Sequence, residues 1–410
     1  MRNKGQGLKS LVIAVAFGLM PGGAIPATAK PLKVFVLAGQ SNMQGHANVS
    51  TFDSMADDPK TAPILKAMRN ADGTPRVCDK VWISSVGCAG DDTTEQKGKL
   101  TAGFGASTRE IGPEFTFGIY MEKLLDQPML FIKTSWGGKS LHTDYRPPSA
   151  GPETINDYIL SQWKERKLDV EQESAKIHKN GGVYYHLMIE HVKKVLADIQ
   201  RVVPDYDPNQ GYELAGFLWF QGWNDYCDDW TYHDRNKRGG YDQYSQLLAQ
   251  FIREVRQDLA APKLPFVIGV MGVGGLKEED KPPMSFFRQA QIAPTLLPEF
   301  KRNVVAVRTA PFWDDSLDEL HRRQDANWPK VDARAAEEFK KHPNLSDDEQ
   351  WAVKMKFMAE NFTPEEWRRA RNISHWDCHY HGAAKIMAPI GKAFAETMAQ
   401  LQKTQSQERR

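Results

Sequence analysis

Val34-Phe35-Val36-Leu37-Ala38-Gly39-Gln40-Ser41-Asn42-Met43-Gln44-Gly45 joins an apolar run of strand length to a polar turn. The run carries no polar face, as expected of a strand covered on both sides of a sheet. Gly39 and Asn42 are residues that tolerate the backbone of a sharp turn. A serine placed between them, at the end of a buried strand, is how a nucleophile is held rigidly at a sheet edge. An ordinary strand-to-turn junction uses the same Gly and Asn, so what the other strands deliver decides between the two.

Further apolar runs of strand length occur at 129–134, 214–220, 266–270 and 304–308, in addition to 33–38. Between them lie helical patterns at 113–125, opened by a proline, and at 184–203, 241–259 and 383–401. Strand alternating with helix predicts a doubly wound α/β domain: a mostly parallel five-stranded sheet with helices on both faces and no internal repeat. Residues 50–107, rich in Asp, Lys and Gly, predict a loop with a small hairpin. Residues 314–371 are charged and helical in pattern, a helical insertion before the last motif. It serves as a lid or as an excursion into solvent; charge-rich helices usually only face water.

The 410 residues carry 53 Lys+Arg against 52 Asp+Glu, which gives no electrostatic reason to expect nucleic acid as a partner. At the N-terminus Arg2, Lys4 and Lys9 precede an apolar run from Leu11 to Met20, and Ala27-Thr28-Ala29 has the A-x-A form of a cleavage site. That pattern predicts a signal peptide over 1–29 and export to the periplasm or beyond. The apolar run is too short for a membrane span, and no later segment is apolar enough to insert. The domain then occupies 30–402, with a polar tail at 403–410. Cys78, Cys88, Cys227 and Cys378 allow two disulfides in three connectivities. Cys78 and Cys88 are near in sequence; a Cys227–Cys378 bridge would tie two site loops together.

In a parallel α/β sheet, the loops after the strands' carboxyl ends share one rim, where ligands bind. Four strands are followed there by Gly39-Gln40-Ser41-Asn42, Ser135-Trp136-Gly137-Gly138-Lys139-Ser140, Gln221-Gly222-Trp223-Asn224-Asp225 and Gly272-Val273-Gly274-Gly275. Chance turns would be rich in Gly without repeatedly adding Gln, Asn and Ser. Acyl transfer from a serine needs a base beside the hydroxyl and donors for the oxyanion. The dense histidine cluster His375-Trp376-Asp377-Cys378-His379-Tyr380-His381-Gly382, just before the last helix, can return to the same rim.

With these blocks in place, the chain resembles the sialate O-acetylesterase-like (SASA) branch of the SGNH hydrolases, related to carbohydrate esterases that include acetylxylan esterases. Gly39-Gln40-Ser41-Asn42-Met43 matches the nucleophile block, Thr134-Ser135-Trp136-Gly137-Gly138 the glycine block and Trp219-Phe220-Gln221-Gly222 the third block. His379-Tyr380-x-Gly382-x-Ala384-Lys385 resembles the closing histidine block. The resemblance implies an SGNH/flavodoxin-like fold and an acetylated glycan as substrate, with no metal or organic cofactor. It makes Ser41 the nucleophile and His379 the general base. Gln40 belongs to the substrate-side loop, and the N–H groups of Ser41 and of Gly137 or Gly138 join Gln221 or Asn224 in the oxyanion hole.

Two positions depart from that pattern. Trp223 stands where relatives often carry Glu, and Trp376 stands where the acid three residues before the histidine is expected. The acid is therefore Asp377, or Asp225 if the loops meet, or a carbonyl that orients the imidazole. Trp136, Trp219 and Trp223 are candidates to stack on a sugar, with Trp219 better placed for the core. His46 and His142 lie near the rim. Two other classes of function remain: a carbohydrate-binding protein whose catalysis has lapsed, and a metal-dependent hydrolase built on His375, His379 and His381. Asn48-Val49-Ser50 and Asn344-Leu345-Ser346 fit the N-glycosylation pattern.

Overall fold

The computed structural model describes residues 30–88 and 90–408; the signal-like segment 1–29 lies outside them. Nine strands are described: β1 (Leu32–Gly39), β2 (Ala47–Asn48), β3 (Val81–Val86), β4 (Gln96–Lys99), β5 (Glu110–Ile111), β6 (Met129–Ser135), β7 (Tyr212–Phe220), β8 (Phe266–Val270) and β9 (Val304–Arg308). Seven form one sheet in the order β4-β3-β6-β1-β7-β8-β9, and β2 pairs with β5 apart from it. Every pairing in the large sheet is parallel except the β3–β4 edge.

The α/β class and the mostly parallel sheet are as expected, but five strands are corrected to seven. The two extra strands lie in the polar stretch at 50–107. The expected hairpin is there, but β3 pairs with β6 and so joins the main sheet.

The strand carrying Ser41 sits centrally because the chain first builds to one side of it and then crosses to the other. β6 pairs on one side of β1 and β7 on the other, so the strand order reverses at β1. This is the switch point at which open α/β sheets leave a crevice beyond their carboxyl ends.

Alternation along β7 shows both faces covered. Trp219 packs on Phe251 of the helix Asp242–Asp258, with centroids 4.4 Å apart, while Phe220 meets Phe394 of the helix Ala384–Glu408 at 5.4 Å. That last helix crosses the helix Pro113–Leu125 closely. A Cβ at Gly391 would lie 2.2 Å from Thr116 Oγ1, and the Thr116 hydroxyl donates to the Ala388 carbonyl at 2.8 Å. The helix also runs through the first residues of the expected polar tail.

The charged stretch forms helices Asp315–Lys341, Asp347–Ala359 and Pro364–Ala370, the last two opened by capping boxes. Val331, Ala335, Phe357 and Met358 give this arm a small core of its own. Among the described residues no helix is long and apolar enough to cross a membrane.

Candidate active site

Ser41 opens the one-turn helix Ser41–Gln44 directly beyond β1 and is 4 % exposed. The approach is close: a Cβ at Gly39 would meet the Phe220 carbonyl oxygen at 2.1 Å, so only glycine fits there. The Tyr145 hydroxyl donates to the Gly39 carbonyl at 2.6 Å from below.

The turn is also held from β6. Buried Lys133 donates to the Gln44 carbonyl at 2.7 Å, to the Phe104 carbonyl at 2.6 Å and to Glu114 at 2.8 Å. Lys133 and Glu114 are both fully buried, and burial pushes the Glu114 carboxyl up against the pull of the ammonium.

The loops after β6 and β7 converge on this turn. A Cβ built on Gly137 would lie 3.9 Å from Ser41 Cβ, and no hydrogen bond of the Gly137 or Gly138 N–H occurs among the described residues. The Ser41 N–H, at the start of its helix, is free in the same sense. Gln40 fixes the third loop: its Oε1 accepts from the Gly222 N–H at 2.9 Å and the Asn224 N–H at 3.3 Å. Its Nε2 donates to Asn224 Oδ1 at 2.8 Å, which orients that amide, and Asn224 Nδ2 makes no hydrogen bond among the described residues.

Gln221 is spent on support rather than open to a ligand. Its Nε2 donates to Gln40, the Lys139 carbonyl and Asp225, and its Oε1 accepts from the Tyr244 hydroxyl at 3.1 Å.

Asp225 ties two loops together and, among the described residues, bonds no histidine ring. Fully buried, it accepts from the Leu141 N–H at 2.8 Å, the His142 N–H at 2.9 Å, Gln221 Nε2 at 2.6 Å and the Tyr232 hydroxyl at 3.1 Å. Burial pushes its carboxyl up to about 6 even so. His142 is itself buried and held neutral by burial, its pKa lowered to about 4.

The histidine loop arrives from the other side of the sheet. Residues 374–382 close on themselves through Ser374 N–H and His375 N–H to the His381 carbonyl, at 2.9 and 3.1 Å. Closure places Tyr380, His381 and Gly382 at φ of 53°, 60° and 61°, a left-handed run that is costly for Tyr and His.

Two pins hold that strain. The Tyr380 hydroxyl accepts from the Gly272 N–H at 2.9 Å and bonds Thr309 Oγ1 at 2.7 Å. His381 Nδ1 meets Nδ1 of His321, on the first helix of the charged arm, at 2.7 Å. The arm is therefore anchored to the site loop rather than only solvated.

Asn42 Nδ2 donates to the Cys378 carbonyl at 3.0 Å, joining the Ser41 turn to this loop. His379 stacks on His46 with centroids 4.2 Å apart, and its Nδ1 lies 2.7 Å from His375 Nδ1. Burial, then His375, lowers the His379 pKa to about 4, so the ring is neutral. Among the described residues Ser41 Oγ makes no hydrogen bond, and no carboxylate bonds His379.

Asp377 is exposed, with its carboxylate on the Cys378 N–H at 2.6 Å. The trio that the metal-dependent alternative needs is split, because His381 goes to His321 while His46 joins His375 and His379, their ligand atoms within 4.8 Å of one another. All four cysteines are free thiols, so neither expected disulfide is formed. Trp136 and Trp219 are buried and Trp223 is partly buried, whereas Trp376 is 67 % exposed and stacks on His379. Trp376, not among the tryptophans singled out from the sequence, is thus the exposed one beside His379.

The family model for SASA, described as carbohydrate esterase, sialic acid-specific acetylesterase, matches residues 31–341. That span includes Ser41, Gly137 and Asn224 and stops before the histidine loop. No curated protein matches the chain. Similar solved structures include an Arabidopsis thaliana protein, with 18% identity over 68% of this chain and 86% of that one, at a TM-score of 0.36. A carbohydrate acetylesterase from Xanthomonas citri has 15% identity over 68% of this chain and 51% of that one, TM-score 0.39. NanS has 12% identity over 70% and 79%, TM-score 0.37. With the matched span carrying the Ser41 turn and the loops after β6 and β7, the chain belongs to the SASA family of carbohydrate esterases.

Proposed function

We propose that this protein is an exported serine esterase that removes O-acetyl groups from a carbohydrate through an acyl-enzyme. Ser41 Oγ attacks the acetyl carbonyl carbon, and its proton passes to His379 Nε2. The oxyanion takes hydrogen bonds from the N–H groups of Ser41 and Gly137 (or Gly138) and from Asn224 Nδ2. Collapse expels the sugar oxygen, which takes the proton from His379. Water, deprotonated by the same ring, then releases acetate and restores Ser41. Each oxyanion donor is typically worth about 3 kcal/mol.

The observation that carries this reading is the convergence of a buried serine with donors that have no partner among the described residues, on loops held by Gln40, Gln221 and Asp225. Family membership supports the acetylated carbohydrate substrate. The glycan classes that this site chemistry fits are acetylated hemicellulose, acetylated sialic acid and other acetyl-decorated glycans.

The test is acetate release from acetylated xylan and from an O-acetylated sialic acid by wild type, Ser41→Ala and His379→Ala. Release that disappears in both folded variants is expected. Undiminished release by Ser41→Ala would sink the mechanism. Glycan binding without release by wild type would favour the lapsed-site alternative.

A further inference from the structure

The general base has no carboxylate partner, and the position of that partner is filled by another histidine. Asp377 caps its own loop and Asp225 belongs to the opposite loops, while His379 Nδ1 lies 2.7 Å from His375 Nδ1. Two imidazole nitrogens at that distance require one donor and one acceptor.

The backbone decides which is which. The Trp376 N–H donates to His375 Nδ1 at 3.0 Å, so that nitrogen carries a lone pair and no proton. The proton between the rings then sits on His379 Nδ1, which shares the single His375 Nδ1 lone pair with the Trp376 N–H, and His379 Nε2 is left as the free lone pair a general base needs. We propose that His375 is the positioning residue of the esterase, replacing the triad acid by fixing His379 in its Nδ1–H tautomer. This rests on the Ser41–His379 reading given above.

The ring contacts favour this role over metal ligation by the same cluster. His46 and His379 are stacked with planes only 10° apart, so their in-plane lone pairs cannot meet at one ion without a ring turning. His375 is faced by Glu110 of β5, by His46 and by His321 of the arm, so its surroundings hold one acid and otherwise imidazoles. A neutral acceptor orients the base without adding the charge that would raise its pKa.

The test uses the acceptor geometry. Oδ1 of Asn or Asp occupies nearly the place of His Nδ1, so His375→Asn and His375→Asp restore an acceptor that His375→Ala removes. In His375→Ala, kcat is expected to fall about 100-fold or more with KM nearly unchanged. His375→Asn should recover to within roughly tenfold of wild type. In His375→Asp the new carboxylate favours the His379 imidazolium, so the acidic limb of the kcat/KM profile moves to higher pH.

Several results would overturn the proposal. One is His375→Ala retaining near wild-type kcat. Another is all three variants falling alike while keeping native near-UV circular dichroism. A third is an acidic limb that stays put in His375→Asp. If the alanine variant does not fold, the Asn and Asp variants decide alone. Full activity in His379→Ala would instead remove the base reading itself, which keeps the two failures distinct.

Discussion

The two halves of the site are held in opposite ways. The sheet-end half, from Gln40 through Asn224, is buried and cross-linked by side chains whose partners are all inside the fold. The histidine half is a single loop in strained backbone, pinned by the Tyr380 hydroxyl and the His381–His321 contact, with Trp376 out in solvent. The donors we propose for the transition state are therefore fixed by the sheet, whereas the proposed base, His379, depends on a loop whose hold can be loosened separately.

The largest effect expected is on the first half. Lys133→Met leaves Glu114 buried without its partner and frees the carbonyl of Gln44, and should cost about 3–5 kcal/mol of stability in urea denaturation. A loss well under 1 kcal/mol would mean that the nucleophile turn does not depend on this pair.

Acid should act on both halves through their buried histidines, His142 in the first and a larger number around the second. Burial lowers the pKa of His46 and His381 to about 3 and of His379 to about 4, from an ordinary 6.5. Below that ordinary value the unfolded chain binds protons that the folded chain refuses. Stability is thus complete above about pH 6.5 and is lost as pH falls toward the folded values. Calorimetry should give a falling thermal midpoint over that window. A midpoint that is flat or rises would contradict the buried neutral rings.

The smallest of these effects separates the halves most cleanly. Tyr380→Phe removes one hydroxyl and leaves the Gly272 N–H without its acceptor, at about 1–3 kcal/mol. Activity should fall through kcat as His379 loosens, while glycan affinity in the sheet-end half stays the same. An equal rise in KM would show the two halves to be one unit.

The difference between the halves also explains what the sequence disclosed. β8 and β9 were legible to the residue because both are short continuous apolar runs, β8 buried throughout and β9 half-buried at the sheet edge. β3 was hidden by Ser84 and Ser85 in its middle, and β4 is an edge strand of Gln, Lys and Gly with no apolar signal at all.

The placement of Ser41, Gly137 and Asn224 could be inferred because each directly follows a strand, so the sheet itself says where it lies. The support role of Gln221 and Asp225 could not, since a hydrogen-bond hub and an oxyanion donor use the same residue types. The histidine loop was least legible. Spacing along the chain cannot foresee that left-handed residues turn His381 toward the arm and bring His375 onto His379 instead.

The most direct test of the central claim is peptide mapping after treatment with a fluorophosphonate, which phosphonylates only a serine activated by a base. The label is expected on Ser41, absent from Ser41→Ala and slowed in His379→Ala. An acetate-releasing enzyme that takes no label at Ser41 would contradict the account.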